Sequence, residues 1–152
     1  MKILDTLKED AIISELTATD KKGVLEELAS PVAKAAGINQ EEMVRVLLER
    51  ERLGSTAIGD GIAIPHGKLK PLASLLMGFG RSHKGVDFEA IDGRPAHLFF
   101  LLMAPENSSG AHLQMLARIS RLLKDEAFRG RLMTAADRRE IYMVIENEDH
   151  EF

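Results

Sequence analysis

The longest apolar run of the chain, Leu98 to Ala104, places the strongest limit on how the protein can fold. The run does not alternate with polar residues, so it predicts a strand whose two faces are both covered. Pro105 ends the strand because proline has no backbone N–H group. Apolar runs of this kind alternate with helical patterns along the chain. The sequence therefore predicts an α/β fold, with a small mixed β-sheet flanked by helices on both faces.

The predicted helices have recognisable starts and ends. The first covers 21–36 and contains Pro31, which allows either two short helices or one kinked helix. The second begins after the capping residue Asn39 and ends near Leu53. A further helix is predicted to start after a cap at Ser109 and to carry the stripe from His112 to Leu123, and two shorter helices are predicted over 126–133 and 137–145. The shorter predicted strands cover 11–13, 62–64 and 75–80.

Bulk properties exclude several classes of protein. The length of 152 residues predicts one domain, which we place at 1–146, followed by a polar, frayed tail at 147–152. The chain has no cysteine, which excludes disulfides and fits a cytoplasmic protein. The net charge of −4 argues against a nucleic-acid partner. No stretch approaches the ~18 uncharged apolar residues of a membrane span, so neither membrane insertion nor a signal peptide is predicted.

Residues 54–68 carry the most distinctive motif. Glycines precede a short apolar run, Ile62 to Ile64, which predicts a turn followed by a buried strand. Pro65 ends this strand, and His66 follows at its end, beside Gly67. A histidine in this place can be held in one orientation and still be reached by a partner. The pattern alone also allows a surface histidine in a turn.

The same stretch resembles the active-site signature of the type-2 enzyme IIA domains of the bacterial phosphoenolpyruvate-dependent phosphotransferase system. These domains form fructose, mannitol and nitrogen-regulatory branches. The shared residues lie at 53–56, 58–59 and 61–67. The amino-acid sequence of the motif, extended to Leu69, is most similar to that of the nitrogen-regulatory branch. The order of predicted elements is similar over nearly the whole chain.

The resemblance implies roles for three residues. In the family the histidine after the proline accepts a phosphoryl group on Nε2, which gives this role to His66. A second histidine lies beside it, and the segment 111–116 is similar to the family segment that carries it, which points to His112. An arginine near the end of the preceding helix helps to bind the phosphoryl group, and its counterpart is Arg50. From the pattern alone, His112 could equally be a capped core residue, and Arg50 and Glu51 could lie at the edge of the core.

Other chemistry has less support. Ser55 and Thr56 could donate hydroxyl groups to a phosphoryl oxygen, but we expect them to stabilise their own loop. His66 and His112 could both bind a metal ion, yet no third ligand is evident. Neither a dinucleotide fingerprint nor a phosphate-binding loop is present, so we predict no cofactor and no metal. We expect the remaining histidines to be solvated: His83, His97 and His150.

By resemblance, the protein is a phosphotransferase component that relays a phosphoryl group. The donor would be HPr or its nitrogen-branch paralogue, and the downstream partner a regulatory target or a transporter IIB component. One alternative is a regulatory binding module of the same fold that is not phosphorylated; the presence of His66, His112 and Arg50 argues against it. Another is a hydrolase with His66 as general base, which lacks a nucleophile in an elbow.

Overall fold

A mixed sheet forms the centre of the computed structural model, which describes residues 1–151. Its strands follow the order β1–β5–β6–β3–β2, and β4 also pairs with β6. The strands are β1 (Leu7–Ile13), β2 (Ala57–Gly59), β3 (Ile62–Ala63), β4 (His66–Leu69), β5 (Leu76–Val86) and β6 (Ala96–Pro105). The helices are α1 (Lys21–Ala36), α2 (Gln40–Arg52), α3 (Ser109–Leu123), α4 (Glu126–Thr134) and α5 (Arg138–Glu151). The predicted α/β fold is confirmed.

Strand β6 is the central strand, as its apolar run predicts. It pairs antiparallel with β5 on one side and parallel with β3 and β4 on the other. Every residue of β6 except His97 is buried. Phe79 of β5 lies opposite Phe100 of β6, and their rings meet edge to face with centroids 4.9 Å apart. This aromatic pair contributes packing at the middle of the sheet.

Helices cover both faces of the sheet. Two residues of β5 that face opposite sides show this. At Gly78 a Cβ atom would lie 2.9 Å from Cγ2 of Val32, so α1 packs directly on the strand backbone there. Arg81 points to the other face. Its guanidinium donates to the carbonyl oxygens of Leu132 and Ala135, at 2.8 and 2.7 Å, where α4 ends. The buried arginine thereby satisfies carbonyl groups that α4 leaves without a helical partner.

Helix α1 is one continuous helix with Pro31 inside it, so the alternative of two short helices is wrong. Asp20 caps its start by accepting from the Gly23 N–H group at 2.7 Å. Gly37 ends it with φ of 68°, a left-handed conformation that glycine adopts without strain. The predicted cap of α2 is confirmed, because Asn39 accepts from the Glu42 N–H group at 2.9 Å.

The segment around Pro65 differs from the prediction. Instead of ending one strand, Pro65 separates two short strands, β3 and β4, which both pair with β6 in parallel. The register is the same on either side: Ile62 lies opposite Leu98, and His66 lies opposite Leu102. His66 is therefore the first residue of β4. Proline breaks only the ladder bond at its own position, and the chain resumes pairing immediately.

Two other boundaries also differ. Strand β5 runs to Val86, beyond the predicted 75–80, because its far half pairs with the start of β6. The predicted frayed tail is wrong over 147–151, which continue α5; residue 152 lies outside the described residues. Asp149 explains the longer helix, since its buried carboxylate accepts from the N–H groups of Ile3 and Leu4, both at 3.1 Å. Over residues 1–151, no helix is long and apolar enough to cross a membrane.

Candidate active site

Three elements meet beside the carboxyl half of β6: the end of α2, the start of β4 and the start of α3. Pairing with β6 fixes β4, and α3 follows β6 after a short connection. Helix α2 can approach β4 closely because residue 67 is glycine: a Cβ atom there would lie 2.7 Å from Cγ1 of Val46. The close approach brings the end of α2 next to His66.

His66 is held in one tautomer. Its Nδ1 atom lies 2.8 Å from the carbonyl oxygen of Ile64. A carbonyl oxygen only accepts hydrogen bonds, so Nδ1 carries the proton and, in the neutral ring, Nε2 keeps its lone pair. Burial lowers the pKa of His66, and the positive charge of Arg50 lowers it further, against the raising effects of the Ile64 carbonyl and Glu51. The ring is half-buried and neutral near pH 7, with an available nucleophilic nitrogen.

His112 lies in the first turn of α3, and its backbone N–H group donates to the Ser108 carbonyl at 3.0 Å. Its ring centroid is 5.4 Å from that of His66, at an interplanar angle of 62°. The residue is 6% exposed, and its Nε2 atom is buried with no hydrogen-bond partner among the described residues. Burial, aided by the charges of His66 and Lys68, lowers its pKa to about 4. His112 is therefore a neutral group with one unused polar atom beside His66.

Arg50 lies in the last turn of α2. Its Nη1 atom donates to the carbonyl oxygen of Gly54 at 2.8 Å. This bond holds the guanidinium at the start of the signature loop, which we define as the segment from Gly54 to Pro65. Burial is the main cause of the lowered pKa of His66, and the positive charge of Arg50 adds to it. The structure thus brings the rings of His66 and His112 into contact and places the charge of Arg50 within electrostatic reach.

Ser55 and Thr56 stabilise the loop, as the sequence led us to expect. The Ser55 hydroxyl donates to the Phe88 carbonyl at 2.5 Å and accepts from the Ala57 N–H group at 3.0 Å. The Thr56 hydroxyl donates to the buried carboxylate of Glu51. Because acceptors outside the loop engage both hydroxyl protons, neither side chain is positioned as a nucleophile.

The sequence interpretation missed Lys68. Its Nζ atom donates to the Ser109 hydroxyl at 2.8 Å, which links β4 to the start of α3, and its charge acts on His112. Side chains two apart on a strand lie on the same side, so Lys68 shares its side with His66. That signal was hidden because no pattern in the sequence indicated a strand after Pro65. Ser108 rather than Ser109 is the N-cap of α3, which leaves the Ser109 hydroxyl to bind Lys68.

The other histidines lie outside this cluster. His97 is half-buried and its Nδ1 atom lies 2.8 Å from the Ser82 carbonyl, so the expectation that it is solvated is wrong. His83 is exposed but contacts Glu15 and the Met133 carbonyl. Within residues 1–151, no group of three or more histidine, aspartate or glutamate side chains could hold a metal ion.

Comparisons with known proteins give the family. The profile of the phosphoenolpyruvate-dependent sugar phosphotransferase system EIIA 2 family matches residues 5–148. The nitrogen regulatory protein of Bradyrhizobium diazoefficiens is 44% identical over 145 residues, which cover 95% of each chain. The fructose-specific EIIABC component of Bacillus subtilis is 37% identical over 150 residues, 98% of this chain but 24% of that protein.

Structural similarity agrees with the sequence matches. The crystal structure of the nitrogen regulatory protein IIA-Ntr from Neisseria meningitidis superimposes with a TM-score of 0.88 at 30% identity, covering 93% of this chain and 97% of the other. The chain belongs to the EIIA type-2 family of the phosphoenolpyruvate-dependent sugar phosphotransferase system and is a phosphotransferase component of that system.

Proposed function

We propose that His66 is the phosphoryl acceptor of this protein and that Nε2 is the atom that forms the bond. The single observation that carries the proposal is the hydrogen bond between Nδ1 of His66 and the Ile64 carbonyl. It fixes the proton on Nδ1 and leaves the lone pair on Nε2. A neutral imidazole with a fixed tautomer is the nucleophile that such a transfer requires.

The donor is a phosphohistidine on an HPr-type phosphocarrier, either HPr itself or its nitrogen-branch paralogue, in the cytoplasm. The lone pair of Nε2 attacks phosphorus as the N–P bond of the donor breaks, and the donor imidazole recovers that electron pair. The transfer is in line between two rings held together in a transient complex. It needs neither a metal ion in the acceptor nor a large substrate pocket.

Arg50, His112 and the N-terminus of α3 supply the groups that receive the negative charge. The guanidinium of Arg50 can grip two phosphoryl oxygens at once. The buried Nε2 atom of His112 has no hydrogen-bond partner in the part of the chain that the structure describes, and an N–H group there would donate to a phosphoryl oxygen on His66. The positive end of α3, next to Lys68, adds to the favourable potential.

We infer that the phosphorylation state of the protein serves regulation rather than the uptake of one sugar. The relative named a nitrogen regulatory protein is 44% identical and matches this chain along 95% of both lengths. The fructose-specific relative is less similar and contains much additional sequence. A downstream regulatory protein, rather than a transporter IIB component, is accordingly the proposed target.

Intact-mass measurement tests the acceptor. Wild type and His66→Ala are incubated with phosphoenolpyruvate, enzyme I and either HPr or its paralogue. An acid-labile gain of about 80 Da in wild type alone, which is the mass of one phosphoryl group, supports the proposal. A gain in both proteins would assign the acceptor to another residue. No gain with either donor would favour the regulatory module that is not phosphorylated.

A further inference from the structure

Glu51 is a buried carboxylate behind the signature loop, and its charge acts to raise the pKa of His66. The residue is 7% exposed, although it lies next to Arg50 on α2. A charged side chain is costly to bury unless it is paired and hydrogen-bonded. Glu51 meets this requirement, and the partners that it uses show what it holds.

The carboxylate accepts hydrogen bonds from both donor groups of Thr56. Its Oε1 atom accepts from the Thr56 N–H group at 3.1 Å and lies 3.2 Å from Nζ of Lys21, and its other oxygen accepts from the Thr56 hydroxyl. Lys21 also pairs with Glu89 at 3.1 Å, so its charge has a second partner. Helix α2 is thereby tied to one residue of the loop by two hydrogen bonds from a single side chain.

Thr56 in turn holds the residue that orients His66. The Thr56 carbonyl accepts from the Ile64 N–H group at 3.0 Å, and the Ile64 carbonyl accepts from Nδ1 of His66 at 2.8 Å. A continuous chain of hydrogen bonds thus leads from Glu51 through Thr56 and Ile64 to the ring. The N–H and carbonyl groups of Thr56, and likewise those of Ile64, belong to different peptide groups, so the series acts by fixing the position of the backbone, and its bond to the Glu51 carboxylate is charge-assisted.

Strand β6 holds the same segment from the opposite side, because the Leu102 N–H group donates to the Pro65 carbonyl at 3.0 Å. That hydrogen bond fixes the backbone at Pro65. It does not involve the Ile64 N–H group, which donates to Thr56. Ile64, whose carbonyl decides the tautomer of His66, is thus held by β6 on one side and by Thr56 on the other, and only the Thr56 contact involves Glu51.

We propose that Glu51 is a positioning residue for phosphoryl transfer, which acts through Thr56 and Ile64 to hold His66 with its proton on Nδ1. The inference deepens the proposed function and rests on it for the effect on transfer. The effect on the tautomer of His66 stands without it.

The main variant is Glu51→Gln, which keeps the size of the side chain but replaces one accepting oxygen with an NH2 group. Glu49→Gln is the matched control, because Glu49 lies on the same helix and pairs with Arg45 at the surface, with a side chain that is 52% exposed. Thr56→Val and Thr56→Ser form a second pair. Valine removes the hydroxyl and serine retains it, so this pair still tests the inference if Glu51→Gln does not fold.

Two readouts are measured on each folded variant. Imidazole 15N NMR of the unphosphorylated protein gives the fraction of His66 that is protonated on Nδ1. Transfer from the phosphorylated HPr-type carrier gives the maximal rate and the carrier concentration at half-maximal rate. We expect Glu51→Gln and Thr56→Val to lower the Nδ1–H fraction and to reduce the maximal rate ~10-fold or more, because a small misplacement of a reacting group is costly. Glu49→Gln and Thr56→Ser should match wild type in both.

A purely structural role would give a different result. If Glu51→Gln and Thr56→Val lower only the thermal stability and leave the tautomer of His66 unchanged, the positioning role is refuted. If wild type takes up no phosphoryl group but Glu51→Gln still lowers the Nδ1–H fraction, the proposed function fails and the positioning role stands. The two failures are therefore distinguishable.

Discussion

Replacing His112 with glutamine should make the protein less sensitive to acid. His112 is 6% exposed in the folded protein, and its pKa falls there to about 4 from an ordinary value of 6.5. Between these two pH values the unfolded chain binds a proton at this position that the folded chain does not. The free energy of unfolding therefore falls as the pH falls through 6.5, and this loss is complete below pH 4.

The size of the effect follows from the shift. The difference between the two pKa values lowers the free energy of unfolding by at most ~3 kcal/mol. This full loss is reached only at pH values below both pKa values. Between pH 7 and pH 5, the linkage relation gives a loss of ~2 kcal/mol from His112 alone. Glutamine is neutral throughout and can still form a hydrogen bond, so the His112→Gln variant should lack this contribution.

Denaturant unfolding at pH 7 and pH 5 measures the effect. Carboxylates also titrate towards the lower pH, but they do so in both proteins, so the comparison of wild type with the variant removes their contribution. We expect wild type to lose ~2 kcal/mol more than His112→Gln over this range. Equal losses in the two proteins would refute the conclusion that His112 is buried as a neutral ring.

Three further substitutions test the remaining parts of the site. Arg50→Lys should slow phosphoryl transfer ~10-fold despite its charge, because it loses the planar fork that can bind two oxygens; transfer at the wild-type rate would remove Arg50 from the site. Gly67→Ala should cost ~1–3 kcal/mol, since its Cβ atom would lie 2.7 Å from Val46, and Val46→Ala should restore part of the loss in the thermal unfolding of the double variant. Ser55→Ala should cost ~2 kcal/mol by leaving the Phe88 carbonyl and the Ala57 N–H group unpaired, yet still accept a phosphoryl group; a phosphorylated variant without downstream activity would give Ser55 a chemical role.

Local sequence patterns were sufficient to predict the helices and strands whose position depends on residues close together in the chain. The apolar run at 98–104 predicted the central strand, and Asn39 predicted the start of α2 through its side-chain cap. Prediction was poorer where partners distant in sequence decide the boundary. Strand β5 extends to Val86 because β6 pairs with it, and α5 continues through Asp149 because the chain start donates to that carboxylate.

The candidate site shows the same division. The pairing of His66 with His112 was predicted from family resemblance, whereas periodicity alone left His112 equally plausible in the core. The tautomer of His66 was beyond prediction, because it depends on the position of the Ile64 carbonyl. The sequence could not show whether Glu51 lies at the edge of the core or is buried in a hydrogen-bond network. Its burial depends on contacts with Thr56 and Lys21 that form only in the folded protein. Side-chain networks of this kind have no fixed spacing in sequence.

The central claim is that Nε2 of His66 receives the phosphoryl group. Imidazole 15N NMR of protein labelled at histidine, before and after phosphorylation by the HPr-type carrier, tests it most directly. We expect a 15N–31P coupling on one ring only, at Nε2 of His66 while Nδ1 keeps its proton, and we expect His66→Ala to lack this coupling. A coupling on Nδ1, or on a ring other than His66, would refute the assignment of Nε2 of His66 as the acceptor.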